Sequence, residues 1–283
     1  MNRIALQAPG TGDYWNCTYI PDIVYSEKIG SPLRLQLIRP QSSERRPALV
    51  VYIQGSGWGK QDVYAMLPQL CTLASADFAV ASIEVRDTGT ALFPACLEDA
   101  KEAIRFLRTR EDIYGYDASR IGAWGTSSGG HIAAMLGLTA GLYRNEKHPD
   151  VSESVQAVVD CYGPTDLLTM DDFPGIMRHD APDSPESCLI GGPLQENREK
   201  ALEASPVRAV PNAKAIPPFL ILHGTADDKV PKEQSIALCE ALLESGTEAE
   251  LLLVEGAGHG NDGGVIGSET FARITAFLRK HLN

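Results

Sequence analysis

Leu33, Leu35 and Leu37 alternate with polar neighbours, the period of a half-buried strand. The run "ALVVYI" at 48–53 is instead continuously apolar, as expected of a strand covered on both faces. The same character returns in "FAVASIEV" (78–85), "RIGAW" (120–124), "VQAVVDCY" (155–162), "FLILHG" (219–224) and "AELLLVEG" (249–256). Between these runs the period lengthens. Ala100, Ala103, Ile104 and Leu107 mark one face of a helix, and further helices are expected over about 232–245 and 269–281. Strands separated by helices predict an α/β fold with a mostly parallel central sheet flanked by helices. Such sheets carry their chemistry in loops beyond the carboxyl ends of the strands. The pattern lapses over approximately 164–216, a stretch rich in Pro, Asp, Ser and Gly. That is too long for a plain connection, and it reads as a short cap inserted into one domain spanning 1–283.

Composition narrows the partners more than the fold. A formal net charge of −12 disfavours nucleic acid, since phosphates would go unneutralised, and disfavours an anionic membrane surface. The six cysteines are scattered without metal-ligand spacing, so free thiols in a reducing compartment are expected. The stretch "MNRIALQAPGTGDYW" has no apolar leader segment, and no apolar run reaches the roughly 20 residues that span a bilayer. A cytoplasmic location is expected, or a secreted one if a leader has been removed.

Four loops after predicted strands carry candidate chemistry. "GTSSG" (125–129) fits G-x-S-x-G about Ser127, with a strand before it and the helical "HIAAMLGL" after it. A sharp strand-to-helix turn crowds both flanks of its central residue, so glycine is needed two positions either side. Ser127 has Gly125 and Gly129 there, whereas Ser128 would have the β-branched Thr126. The Ser128 backbone N–H then follows the nucleophile, where it can stabilise an oxyanion. "YIQGSGWGK" (52–60) is a Gly-rich turn placed to supply further N–H donors. "HGTADDKVP" (223–231) offers Asp227 or Asp228 as a carboxylate to orient a histidine, and Asp160 is a third candidate at another strand end. "EGAGHGNDGG" (255–264) presents His259 between glycines. His131, His148, His179, His223 and His281 have ordinary structural readings. Serine, acid and histidine follow in the order expected of an α/β-hydrolase triad.

The chain resembles the α/β-hydrolase superfamily, in the esterase branch related to feruloyl and acetyl carbohydrate esterases and to hormone-sensitive-lipase-like enzymes. "QGSGW" resembles the H-G-G-G-W oxyanion loop, with Gln54 for His and Ser56 for Gly. The segment "FPACLEDAKEAIRFLR…YGYDASRIGAWGTSSGGHIAAMLG" is similar to the nucleophile region, "VVDCYGPTDL" also fits, and "GAGHG" matches the histidine loop. "PPFLILHGTADDKVP" matches the acid loop in the register that selects Asp227. The resemblance covers roughly residues 20 to 283. It implies a serine esterase with Ser127, Asp227 and His259 as triad and backbone donors from Ser56, Gly57 and Ser128. No cofactor or metal is expected, and the partner is a small-molecule or oligosaccharide ester, acetyl or feruloyl in type. Trp58, Met170, Phe173 and Met177 are candidate pocket residues. A prolyl-oligopeptidase-type peptidase and a catalytically silent binding protein are the competing readings.

Overall fold

The computed structural model describes residues 17–28, 31–41, 45–143, 148–173, 175–260 and 264–283. The N-terminal stretch inspected for a leader, Pro174 of the cap and residues 261–263 of the histidine loop lie outside them. Along the chain come β1 (Cys17–Lys28), β2 (Ser31–Pro40), β3 (Ala48–Ile53), α1 (Leu67–Ser75), β4 (Phe78–Ile83) and α2 (Ala95–Arg108). They are followed by α3 (Glu111–Tyr114), β5 (Asp117–Thr126), α4 (Ser128–Leu138), β6 (Ala157–Cys161), α5 (Pro185–Ile190) and α6 (Arg198–Glu203). The chain ends with α7 (Pro206–Ala209), β7 (Phe219–Gly224), α8 (Glu233–Glu244), β8 (Ala249–Val254) and α9 (Ser268–Leu282).

The strands form one sheet in the order β1-β2-β4-β3-β5-β6-β7-β8. β2 is antiparallel to β1 and β4, and all later pairs are parallel. The continuously apolar runs are explained by cover on both faces. Leu49, Val51 and Ile53 of β3 belong to the core that also takes in residues of α2, α4 and α8, while Ala48, Val50 and Tyr52 belong to the one shared with α1 and α9. Cap residues Leu167, Leu189, Ile190, Ala201 and Ala204 join the first of these cores. No helix among the described residues is long and apolar enough to cross a membrane.

β1 is an addition to the strands read from sequence. Pro21 and register shifts after Ile20 and Val24 break its alternation, which an edge strand tolerates. The order β4-β3-β5 makes the chain reverse direction across the sheet between β3 and β5. The loops after these two strands therefore splay apart and leave a crevice. Residues 54–58 and Ser127 sit at that point.

Candidate active site

The turn at Ser127 is shaped by crowding. Its backbone holds φ 53° and ψ −125°, a conformation that costs a non-glycine residue about 1–3 kcal/mol. A Cβ on Gly125 would lie 1.9 Å from the Gly129 carbonyl oxygen, and one on Gly129 would lie 2.0 Å from that of Ile53. Only glycine fits at either place. The Ser127 N–H donates to the Cys161 carbonyl at 2.8 Å, and its own carbonyl accepts from His131 N–H at 3.0 Å. The turn thus lifts the hydroxyl above the sheet with its backbone pinned on both sides.

The sheet brings the distant candidates together. Ser127 Oγ is 3.0 Å from His259 Nε2, and His259 Nδ1 is 2.7 Å from Asp227 Oδ2. Asp227 Oδ1 accepts the N–H groups of Lys229 and Val230, both at 2.9 Å, which fixes the carboxylate. His223 Nε2 adds a second contact to Oδ2 at 3.2 Å. Burial alone would push the Asp227 carboxyl up; the hydrogen bonds from His223 and His259 outweigh it and hold the group well below the usual carboxylate range. Asp227 is held in its ionised form, and His259 Nδ1–H donates to it, leaving the Nε2 lone pair facing Ser127 Oγ. The other acids are elsewhere. Asp228 is exposed, and Asp160 is buried beneath α4, where its Oδ1 accepts the Gly163 N–H at 3.0 Å.

The loop after β3, expected to supply oxyanion donors, departs from that expectation at Ser56. Its N–H donates to Ser128 Oγ at 2.9 Å, and its hydroxyl donates to the Gly59 carbonyl at 2.7 Å. Ser56 is thus engaged within the protein. The N–H groups of Gly57 and Ser128 have no protein acceptor among the described residues, and both residues line the cleft. Gln54, standing where related loops carry His, folds the loop back on itself: Oε1 accepts Asp62 N–H at 2.7 Å.

A cleft of about 540 Å³ opens over Ser127 and His259. Tyr52, Met66, Gln69 and Tyr162 line one part, and Tyr162 meets the His259 ring edge-on with centroids 5.0 Å apart. Trp58 and Met177 line the cleft as expected, but Met170 and Phe173 do not. Leu167–Asp172 forms a 3₁₀ turn, in which residues three apart eclipse, so Met170 is buried like Leu167. Phe173, just past the turn, is 37% exposed.

Two histidines do more than their surroundings in sequence suggested. His131 is fully buried, accepts Trp58 Nε1–H on Nδ1 at 3.2 Å and donates from Nε2 to the Ala204 carbonyl at 2.7 Å. Burial pushes its pKa down to about 4, so the neutral ring bridges the oxyanion loop to the cap. His179, given an ordinary structural reading from its polar stretch of sequence, lies at the cleft. It is buried and faces Glu186 Oε2 from Nδ1 at 3.1 Å. "DSPES" (183–187) begins α5, with Ser184 as its cap accepting the Ser187 N–H. Nothing local showed that Glu186, in its first turn, would meet a histidine.

Three comparisons with known proteins bear on this site. The BD-FAE family model matches residues 35–242. Esterase LipC of Mycobacterium tuberculosis (strain ATCC 25618 / H37Rv) is 31% identical over 236 residues, covering 81% of this chain and 57% of its own. The chain spans about half the length of the curated relatives it matches. A truncated form of a carbohydrate esterase from gut microbiota superposes with a TM-score of 0.84 at 30% identity, covering 97% of this chain and 99% of that one. The butyrate-bound Est2 esterase of the Planctomycetes species Thermogutta terrifontis gives 0.75 at 25% identity, with 98% and 97% covered.

Proposed function

The chain belongs to the BD-FAE family of α/β-hydrolases, and from that premise we propose that it is a serine-dependent carboxylic-ester hydrolase acting through an acyl-enzyme. The observation that carries this reading is the continuous path from Ser127 Oγ through His259 to an ionised Asp227, at 3.0 and 2.7 Å. In this reading Ser127 Oγ attacks the ester carbonyl carbon while His259 Nε2 takes its proton. The carbonyl oxygen becomes an oxyanion and is met by the N–H groups of Gly57 and Ser128, the second at the N-terminus of α4. Collapse expels the alcohol, which leaves with the proton from His259. Water, deprotonated by the same imidazole, then releases the acid and restores the serine.

Short acyl groups or a small aromatic acyl group, on a carbohydrate or similar alcohol, are the proposed substrates. The limited cleft supports the first part, and the names of the gut carbohydrate esterase and the butyrate-bound esterase support both. The test is kcat/KM for wild type and Ser127→Ala on p-nitrophenyl acetate, butyrate and octanoate, methyl ferulate, acetylated xylan and an alanyl anilide. Wild type should favour the shorter esters, and the variant should lose at least about a thousandfold on every ester. Retained ester turnover in the variant removes Ser127 as nucleophile. Cleavage of the anilide alone turns the reading to a peptidase, and inertness of folded protein to a binding module.

A further inference from the structure

His179 and Glu186 are both buried, yet both line the cleft that holds Ser127. Their facing atoms, His179 Nδ1 and Glu186 Oε2, are 3.1 Å apart but poorly aligned, and neither has another hydrogen-bond partner among the described residues. These two atoms are shut off from solvent and answer only each other, so it is the remainder of the Glu186 carboxylate that meets the cleft. The surroundings are too well built for slack. The His179 N–H donates to Asp171 Oδ1 at 2.8 Å, and its carbonyl accepts the Ser184 and Ser187 hydroxyls.

The charge state follows from the partners. Burial alone would lower the pKa of His179, but Glu186, Asp171 and a hydrogen bond to the Lys229 backbone outweigh it and raise it. With one ring nitrogen committed to Lys229, a neutral imidazole would set a lone pair against a carboxylate. A proton held between the two removes that conflict. The pair is then neutral as a unit, and Lys229 itself adds a positive charge to the same wall. Such a wall offers no net attraction to a cationic alcohol. It does offer a carboxylate that accepts hydroxyl donors in a partly dry site, where charge-assisted bonds are strong.

Resting on the esterase reading above, we propose that the His179–Glu186 pair is the subsite that takes the hydroxyl groups of a polyol or sugar alcohol portion of the ester. Discrimination of this kind is large because an alcohol without hydroxyls leaves the Glu186 carboxylate without a donor on its cleft side.

The test holds the acyl group constant and varies the alcohol: methyl 2-O-acetyl-xyloside against p-nitrophenyl acetate and acetylcholine, for wild type and Glu186→Gln. The ratio of two kcat/KM values does not depend on how much of a preparation is folded. Glu186→Gln should lower the xyloside-to-nitrophenyl ratio by about tenfold or more, chiefly through KM of the xyloside. An unchanged ratio overturns the subsite, as does a wild type that prefers acetylcholine to the xyloside. If Glu186→Gln yields no soluble protein, His179→Asn is read by the same ratio with the same expectation. Wild type that cleaves none of the three esters removes the esterase reading itself, a different failure from an unchanged ratio in an active enzyme.

Discussion

Ser128 places a hydroxyl where it holds the oxyanion loop to the start of α4, because its Oγ accepts the Ser56 N–H at 2.9 Å. Its backbone and side chain therefore have separable jobs. Ser128→Ala keeps the N–H proposed to meet the oxyanion but leaves the Ser56 N–H without its partner, a loss of about 1–3 kcal/mol. The expected outcome is a lowered Tm and a kcat within about tenfold of wild type, against near-complete loss for Ser127→Ala. Equal losses of kcat in the two variants would mean that the hydroxyl, and not the backbone, does the chemistry. Residue by residue, the sequence was legible where backbone sterics constrain it: Gly125 and Gly129 mark Ser127 because no side chain fits beside it. It was silent on Ser56, since a backbone donor captured by a side chain 72 positions away leaves no local trace.

The turn between β5 and α4 is held by close approach rather than by side-chain bonding. Gly125→Ala would drive its Cβ into the Gly129 carbonyl, so β5 and α4 would have to separate. Loss of soluble expression or a collapse of Tm is expected, whereas the same change at Gly246, which has open space around it and a φ of +80°, should cost only about 1 kcal/mol. Comparable thermal melts of the two variants would refute this account of the turn. At this scale most elements were readable, because strands covered on both faces write continuous apolar runs. β1 was not, since Pro21 and two irregular registers erase its period. The segment 164–216 reads in sequence only as an interruption, and its inward and outward faces are not legible there: the 3₁₀ geometry that buries Met170, read as a pocket residue, has no distinctive pattern over six residues.

Across the whole molecule, two buried groups that take no part in the proposed chemistry shape stability against pH. Burial raises Asp160 from 3.8 to about 7, against the pull of the Gly163 N–H and of His223, and its Oδ2 has no partner among the described residues. The native state therefore keeps a proton that the unfolded chain has released, and stability falls as pH rises from about 3.8 through about 7. His131 acts oppositely. Its folded value of about 4 lies below the ordinary 6.5, so stability falls as pH drops through that window. Between about 4 and 6.5 the two slopes oppose each other, each near 1.4 kcal/mol per pH unit. Asp160→Asn removes one of them. The stability of the variant relative to wild type should climb by about that slope up to pH 7 and then level off, as read from urea midpoints at half-unit steps. A difference independent of pH would show that Asp160 is ionised throughout.

The Trp58–His131–Ala204 bridge sets how far this scaffold can be rebuilt by recombination. Trp58 follows Gly57 in the loop after β3, and Ala204 lies between β6 and β7, so one imidazole ties the wall beside Ser127 to the segment proposed to meet the substrate. Caps in such a lineage are not freely exchangeable cassettes. In the esterase reading proposed above, a transplanted segment that brings no carbonyl over His131 leaves the ring without its acceptor and loosens the loop that carries Gly57, so that new selectivity would come with a slower enzyme. Rebuilt forms that keep their speed are expected to be those whose replaced segments, however different in sequence, preserve that single acceptor.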